Sequence, residues 1–156
     1  NGSLGWSARR QSYPYLETDF DHVQPLPSGL SAFTFGKVDS GFGRQLSFYD
    51  QFTAGGLTDL DAYRYHELRA NTILALGGGV MYRGINPANV AFRPIFAGWY
   101  EAAQLDLGSL GWHTPQSTSV GAFVPTPIGQ VGIVTSFNEH GQARFRLSLG
   151  SFWNRP

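Results

Sequence analysis

Near its carboxy-terminal end the chain alternates Phe145, Leu147 and Leu149 with Arg144, Arg146 and Ser148, then closes on Phe152 and Trp153. A period of two places the apolar residues on one face of a β-strand and the arginines on the other. Two arginines on a buried face would each need a partner, because an unpaired charge away from water is heavily penalised. The polar face is therefore easier to explain in a wet lumen than in a soluble core. Transmembrane β-strands read this way, apolar toward lipid and polar toward a lumen, with aromatic residues at the membrane interface. A half-buried strand of a soluble sheet shows the same alternation.

Composition narrows the choice. Eleven basic and eleven acidic side chains cancel, and no basic stripe marks a nucleic-acid surface, so no nucleic-acid partner is expected. With no cysteine, the chain has no disulfides, thiolate metal sites or cysteine nucleophile. No run of 18 apolar residues occurs, which excludes a spanning helix but not a spanning barrel, whose strands carry apolar residues only at every second position. Twenty glycines beside abundant Phe, Tyr and Trp fit strands and turns. The chain begins without an initiator Met, a basic segment or an apolar leader, so it is expected to start after processing or to be cut from something longer.

Helical periodicity is nearly absent; the one candidate is the polar stretch from Leu60 to Leu68. Strand patterns predict segments near 3–13, 17–25, 29–38, 43–51, 71–84, 89–102, 117–125, 129–138 and 142–153, the first two interrupted by Pro14, Pro25 and Pro27. From Thr72 to Tyr82, Leu74, Leu76, Val80 and Tyr82 share one face and Ala75, Gly77 and Gly79 the other, as in a wall whose inner side leaves room. Tight turns are expected at Asn138-Glu139-His140-Gly141 and around Ile128-Gly129-Gln130. Brief connections near 26–28, 85–88, 126–129 and 138–141 contrast with longer ones at 52–70 and 103–116, as between periplasmic turns and extracellular loops.

From Phe48 onward the order of features resembles the carboxy-terminal part of the outer-membrane assembly-factor, or bacterial surface antigen, barrel superfamily. The likeness is carried by the aromatic approach to a double glycine, Phe48-Tyr49-Asp50-Gln51-Phe52-Thr53-Ala54-Gly55-Gly56, followed by a loop and a long strand. It continues through Thr126-Pro127-Ile128-Gly129 and the terminal strand Phe145 to Trp153. The barrel domain of patatin-type bacterial phospholipases is the branch it is most similar to. The resemblance implies a sixteen-stranded barrel of which this chain supplies about half, with loop 52–70 folded into the lumen. It also implies a terminal strand, marked by Phe145, Leu147, Leu149 and Trp153, that is presented to the barrel assembly machinery. Where the superfamily carries Arg-Gly-aromatic in its lumenal loop, this chain reads Asp61-Ala62-Tyr63-Arg64, so the buried charge is inverted and a cation such as Arg64 or Arg69 is expected to answer Asp61.

Catalytic signatures are missing. No Gly-x-Ser-x-Gly elbow occurs, so any phospholipase chemistry of a longer parent would lie upstream of Asn1. Asp19 and Asp21 share a strand face that His22 leaves, which argues against a metal site; His66 and Glu67 are candidates for a network with Tyr63 and Arg64. Trp99, Trp112, Trp153, Tyr82 and Tyr100 fit either interface girdles or a soluble core. The expectation is an all-β antiparallel transmembrane barrel of about eight or nine strands over 1–156, complete or the end of a larger one. It would lie in the bacterial outer membrane as anchor or conduit for an upstream domain, with lipid, the assembly machinery or a second copy as partner, and with neither cofactor nor metal. The competing expectation is a soluble β-sandwich or lipocalin-like binding module with Gly77 and Gly79 lining its pocket.

Overall fold

A computed structural model of the chain describes residues 2–7, 13–56, 59–84, 93–127 and 129–150. The fold is all-β and antiparallel. Eight strands follow one another as a meander: β1 (Gly2–Ser7), β2 (Tyr13–Pro25), β3 (Leu30–Ser40), β6 (Thr72–Arg83), β7 (Ile95–Asp106), β9 (Gln116–Thr126), β10 (Gly129–Asn138) and β11 (Ala143–Gly150). Between β3 and β6 an insertion carries a small hairpin, β4 (Phe52–Ala54) with β5 (Leu68–Ala70), and the two-residue β8 (Trp112–His113) pairs with the end of β7.

The alternating segments fold close to where their period places them, and residues 8–12, 89–92 and 151–153 of the expected strands lie outside the described residues. Differences arise where composition imitates a strand. Residues 43–51 turn instead, with the Asp50 N–H donating to Ser47 O at 2.8 Å, and no helix forms from Leu60 to Leu68. β2 runs unbroken through Pro14 and ends on Pro25, and β7 begins at Ile95, with Arg93 and Pro94 outside it. Among the described residues β1 and β11 are each paired on one side only, so these strands form an open sheet, not a closed barrel. An eight-stranded barrel has room inside for little more than its own side chains. Here the inner face must also accommodate the insertion.

Directly opposite residues in a ladder share a face, so the register sorts the sheet into two surfaces. The inner face, which the insertion covers, carries Phe33, Ala97, Trp99, Phe123 and Val134 as one buried cluster. Toward the insertion a second cluster joins Leu46, Phe52, Leu60 and Tyr63 to Ile73 and Leu105. Glycines on this face are notches for neighbouring rings. A Cβ on Gly77 would fall 2.6 Å from Cε2 of Phe35, and one on Gly79 would fall 2.6 Å from the Cβ of Trp99 and closer still to the Gly98 carbonyl. Gly77 thus abuts the Phe35 ring and Gly79 the β7 chain at Gly98 and Trp99.

This gives a contrast to measure. Gly79→Ala is expected to destabilise the fold by about 1–3 kcal/mol, as overpacking against backbone does. Gly98→Ala, whose new methyl would meet nothing nearer than 3.9 Å, should change stability by less than about 1 kcal/mol. Denaturant titration of both variants checks the difference, and equal costs would count against the notch.

Candidate functional site

The insertion lays a four-residue turn, 60–63, on the inner face. Leu60 adopts φ +63°, and the Tyr63 N–H closes the turn on Leu60 O at 2.9 Å. Upstream, Gly55 and Gly56 have φ of +111° and +123°, and a Cβ on Gly56 would lie 2.9 Å from the Tyr65 ring, so the double glycine lets the chain after β4 pass against 64–65.

The turn's backbone groups are answered by wall side chains. The Glu101 carboxylate on β7 accepts the N–H groups of Leu60 at 3.2 Å and Asp61 at 2.9 Å, and Ser117 Oγ on β9 accepts that of Ala62 at 3.1 Å. Arg146 on β11 grips the opposite side: Nη2 donates to the carbonyls of Asp61 at 3.1 Å and Tyr63 at 3.3 Å, while Nη1 lies 3.3 Å from Asp61 Oδ1. Trp99 Nε1 donates to the other Asp61 oxygen at 2.9 Å. Buried backbone groups without partners would be costly, and this arrangement leaves the turn well supplied.

Further tethers flank it. Lys37 on β3 pairs with Asp39 at 2.8 Å, sits 3.8 Å from Asp59 and donates to Thr53 O at 3.3 Å. At the β10–β11 turn, the Tyr63 hydroxyl donates to Glu139 at 2.6 Å, and Arg144 lies 3.6 Å from Glu67. Burial first, then the hydrogen bond to Glu139, pushes the Tyr63 phenol well above its ordinary range. Burial alone would raise Glu139, but hydrogen bonds from Tyr63 and from backbone N–H groups, with His140 nearby, win and hold it below the usual carboxylate range.

Asp61, Ala62 and Tyr63 thus converge on the wall, whereas Arg64 is exposed and its N–H donates to Glu67 at 2.5 Å. The cation that answers Asp61 is Arg146, not Arg64 or Arg69; the Arg69 guanidinium instead lies 4.4 Å from the Phe48 ring centroid. A residue from the far end of the chain supplies the charge because the last strand reaches back to the turn. His66 hydrogen-bonds Thr53. Phe145, Leu147 and Leu149 stand exposed on the outer face, and Trp153 lies outside the described residues. Trp99 is buried on the inner face and is not a girdle residue, whereas Trp112, opposite Asp106, is exposed at the outer edge of β7. Among the described residues no group of three His, Asp or Glu side chains is placed to hold a metal ion.

Sequence reasoning missed Glu101, Ser117 and Glu139. For Glu101 a signal existed, a lone acid two residues from Trp99 on the buried side of an alternating strand. Comparison with protein-family models, curated proteins and solved structures gives no match.

Proposed function

We propose that this chain is a membrane-spanning β-wall of the bacterial outer-membrane type, serving as anchor or conduit for an upstream domain. The observation that carries the reading is that large aliphatic side chains stand exposed on the outer face while the charged side chains of the strands turn inward beside a buried aromatic cluster. Leu76, Ile133 and Leu147 on the outer face are 60%, 57% and 76% exposed, while Ser117, Ser119 and Ser136 on the inner face are 1–2% exposed. Charged side chains of the eight strands, from Glu17, Asp19 and Asp21 through Lys37, Asp39, Arg83 and Glu101 to Arg144 and Arg146, register on the inner face. Asp106 is the exception, at the end of β7, where it accepts the Gly108 N–H. A soluble sandwich hides its large aliphatic residues between layers and turns polar residues to water, the reverse distribution.

Dimensions agree with a bilayer. On β6 the outer apolar residues run from Leu74 to Tyr82. At about 3.4 Å per residue and a tilt of roughly 40° they cover about 20 Å of depth, near the roughly 25 Å apolar band of outer-membrane barrels. No described helix is long and apolar enough to cross a membrane. In lipid the open edges of β1 and β11 need partners. The surface-antigen resemblance supplies them as further strands of a sixteen-stranded barrel, and a second copy is the alternative. The same resemblance makes the barrel assembly machinery the partner of the terminal strand.

Behind a signal peptide, the protein is expected in the outer-membrane fraction, migrating faster on a gel before heating than after. Leu76→Arg or Ile133→Arg should cost about 2–4 kcal/mol there, as arginine on a lipid face does. A soluble periplasmic product that unfolds cooperatively and tolerates both arginines overturns the reading.

A further inference from the structure

The inserted segment 59–67 is fastened to the sheet by acidic side chains, together with Arg146 on two of its carbonyls and Ser117 on the Ala62 N–H. Asp61 meets Arg146 and Trp99; Asp59 faces Lys37; Glu67 faces Arg144; Glu139 accepts from Tyr63; and Glu101 accepts two N–H groups of the turn. The wall groups facing this segment are Lys37 and Asp39 from β3, Glu101 from β7, Arg144 and Arg146 from β11, and Glu139 and His140 from the β10–β11 turn. The segment itself holds Asp59, Asp61, Tyr63, Arg64, His66 and Glu67, so it is net negative at neutral pH against a wall with three cations. Neutralising its acidic side chains leaves Arg64, and attraction to Lys37, Arg144 and Arg146 becomes repulsion. The β-ladder hydrogen bonds do not titrate.

We propose that segment 59–67 is an acid-released latch on the inner face: ionised Asp61 and Glu139 hold it seated, and acidification frees it while the strands stay paired. The latch deepens the conduit reading by giving the lumenal segment a regulated position. The sign follows from Glu139. Its folded pKa is depressed, so its contribution is present above the unfolded carboxylate range and is lost as pH falls through the folded value.

The cysteine-free chain allows a direct test. A single Ala62→Cys reports seating, because Ala62 is buried within the seated turn, and Ser109→Cys serves as the exposed control. Both variants, in detergent micelles, are treated with dithiodipyridine, which reacts with thiols in acid as well as at neutrality. Between about pH 7 and about pH 3 the rate ratio of Ala62→Cys to control is expected to rise about tenfold or more, reversibly, with the strand signal in circular dichroism unchanged. Adding Asp61→Asn and Glu139→Gln should give the high ratio already at neutral pH. A ratio that stays flat, a ratio that rises only as strand signal is lost, or a double variant that remains protected would each overturn the latch. If the protein proves soluble without detergent, the membrane reading fails while the labelling ratio remains measurable in buffer.

Discussion

Arg146→Leu is expected to destabilise the folded protein by about 3–5 kcal/mol, the scale on which removing one partner of a buried ion pair leaves the other charge uncompensated. The Asp61 side chain is 0% exposed and its partner's is 23%, so water cannot replace the guanidinium at the carboxylate. The loss also strips donors from the Asp61 and Tyr63 carbonyls, while Trp99 Nε1 still donates to the Asp61 carboxylate. Arg146→Lys should recover only part of this, because one ammonium cannot reach a carboxylate and two carbonyls in a planar fork. Asp61→Asn combined with Arg146→Leu should cost less than the two single changes added, since the buried charge leaves with its partner. Denaturant unfolding of the four proteins gives the cycle. A loss below about 1 kcal/mol for Arg146→Leu would mean that the pair is solvated like an ordinary surface bridge.

The same pair marks where sequence reading stops. β6, β9, β10 and β11 were legible because a strand's period is local: Leu74, Leu76, Val80 and Tyr82 declare one face within a dozen residues, and Gly141, at φ +74°, marks the β10–β11 turn. That Arg146 turns inward was legible from the alternation, which pointed to a wet lumen and not to an ion pair. The identity of its partner was not. Asp61 lies 85 residues away, and no local pattern says which acid of several an arginine will meet. Residues 43–51 misled because Phe48 and Tyr49 are the residue types strands favour, yet they are exposed in a turn where Arg69 covers one ring. The path of the insertion is likewise set by scattered single contacts, Lys37 with Asp59 and Tyr63 with Glu139, that leave no periodic trace.

Phe123→Ala is expected to cost about 3–5 kcal/mol, the range for truncating a fully buried phenylalanine that cannot be backfilled. Phe123 is 0% exposed, and its ring covers two glycines: a Cβ built on Gly121 would lie 2.7 Å from Cε2, and one on Gly132, directly opposite on β10, would lie 2.8 Å from Cε1. Glycine has no side chain to relax into the vacated space, so the cavity should persist, and cavity volume is what separates costly truncations from mild ones. This makes a specific rescue testable. Gly132→Ala alone should destabilise by about 1–3 kcal/mol through collision with the ring. Added to Phe123→Ala it should cost almost nothing, because the colliding atoms are gone and β-propensity favours alanine over glycine. Additive losses would place the ring elsewhere, and with it the inner-face packing that lets a sheet with apolar residues turned outward keep any core at all.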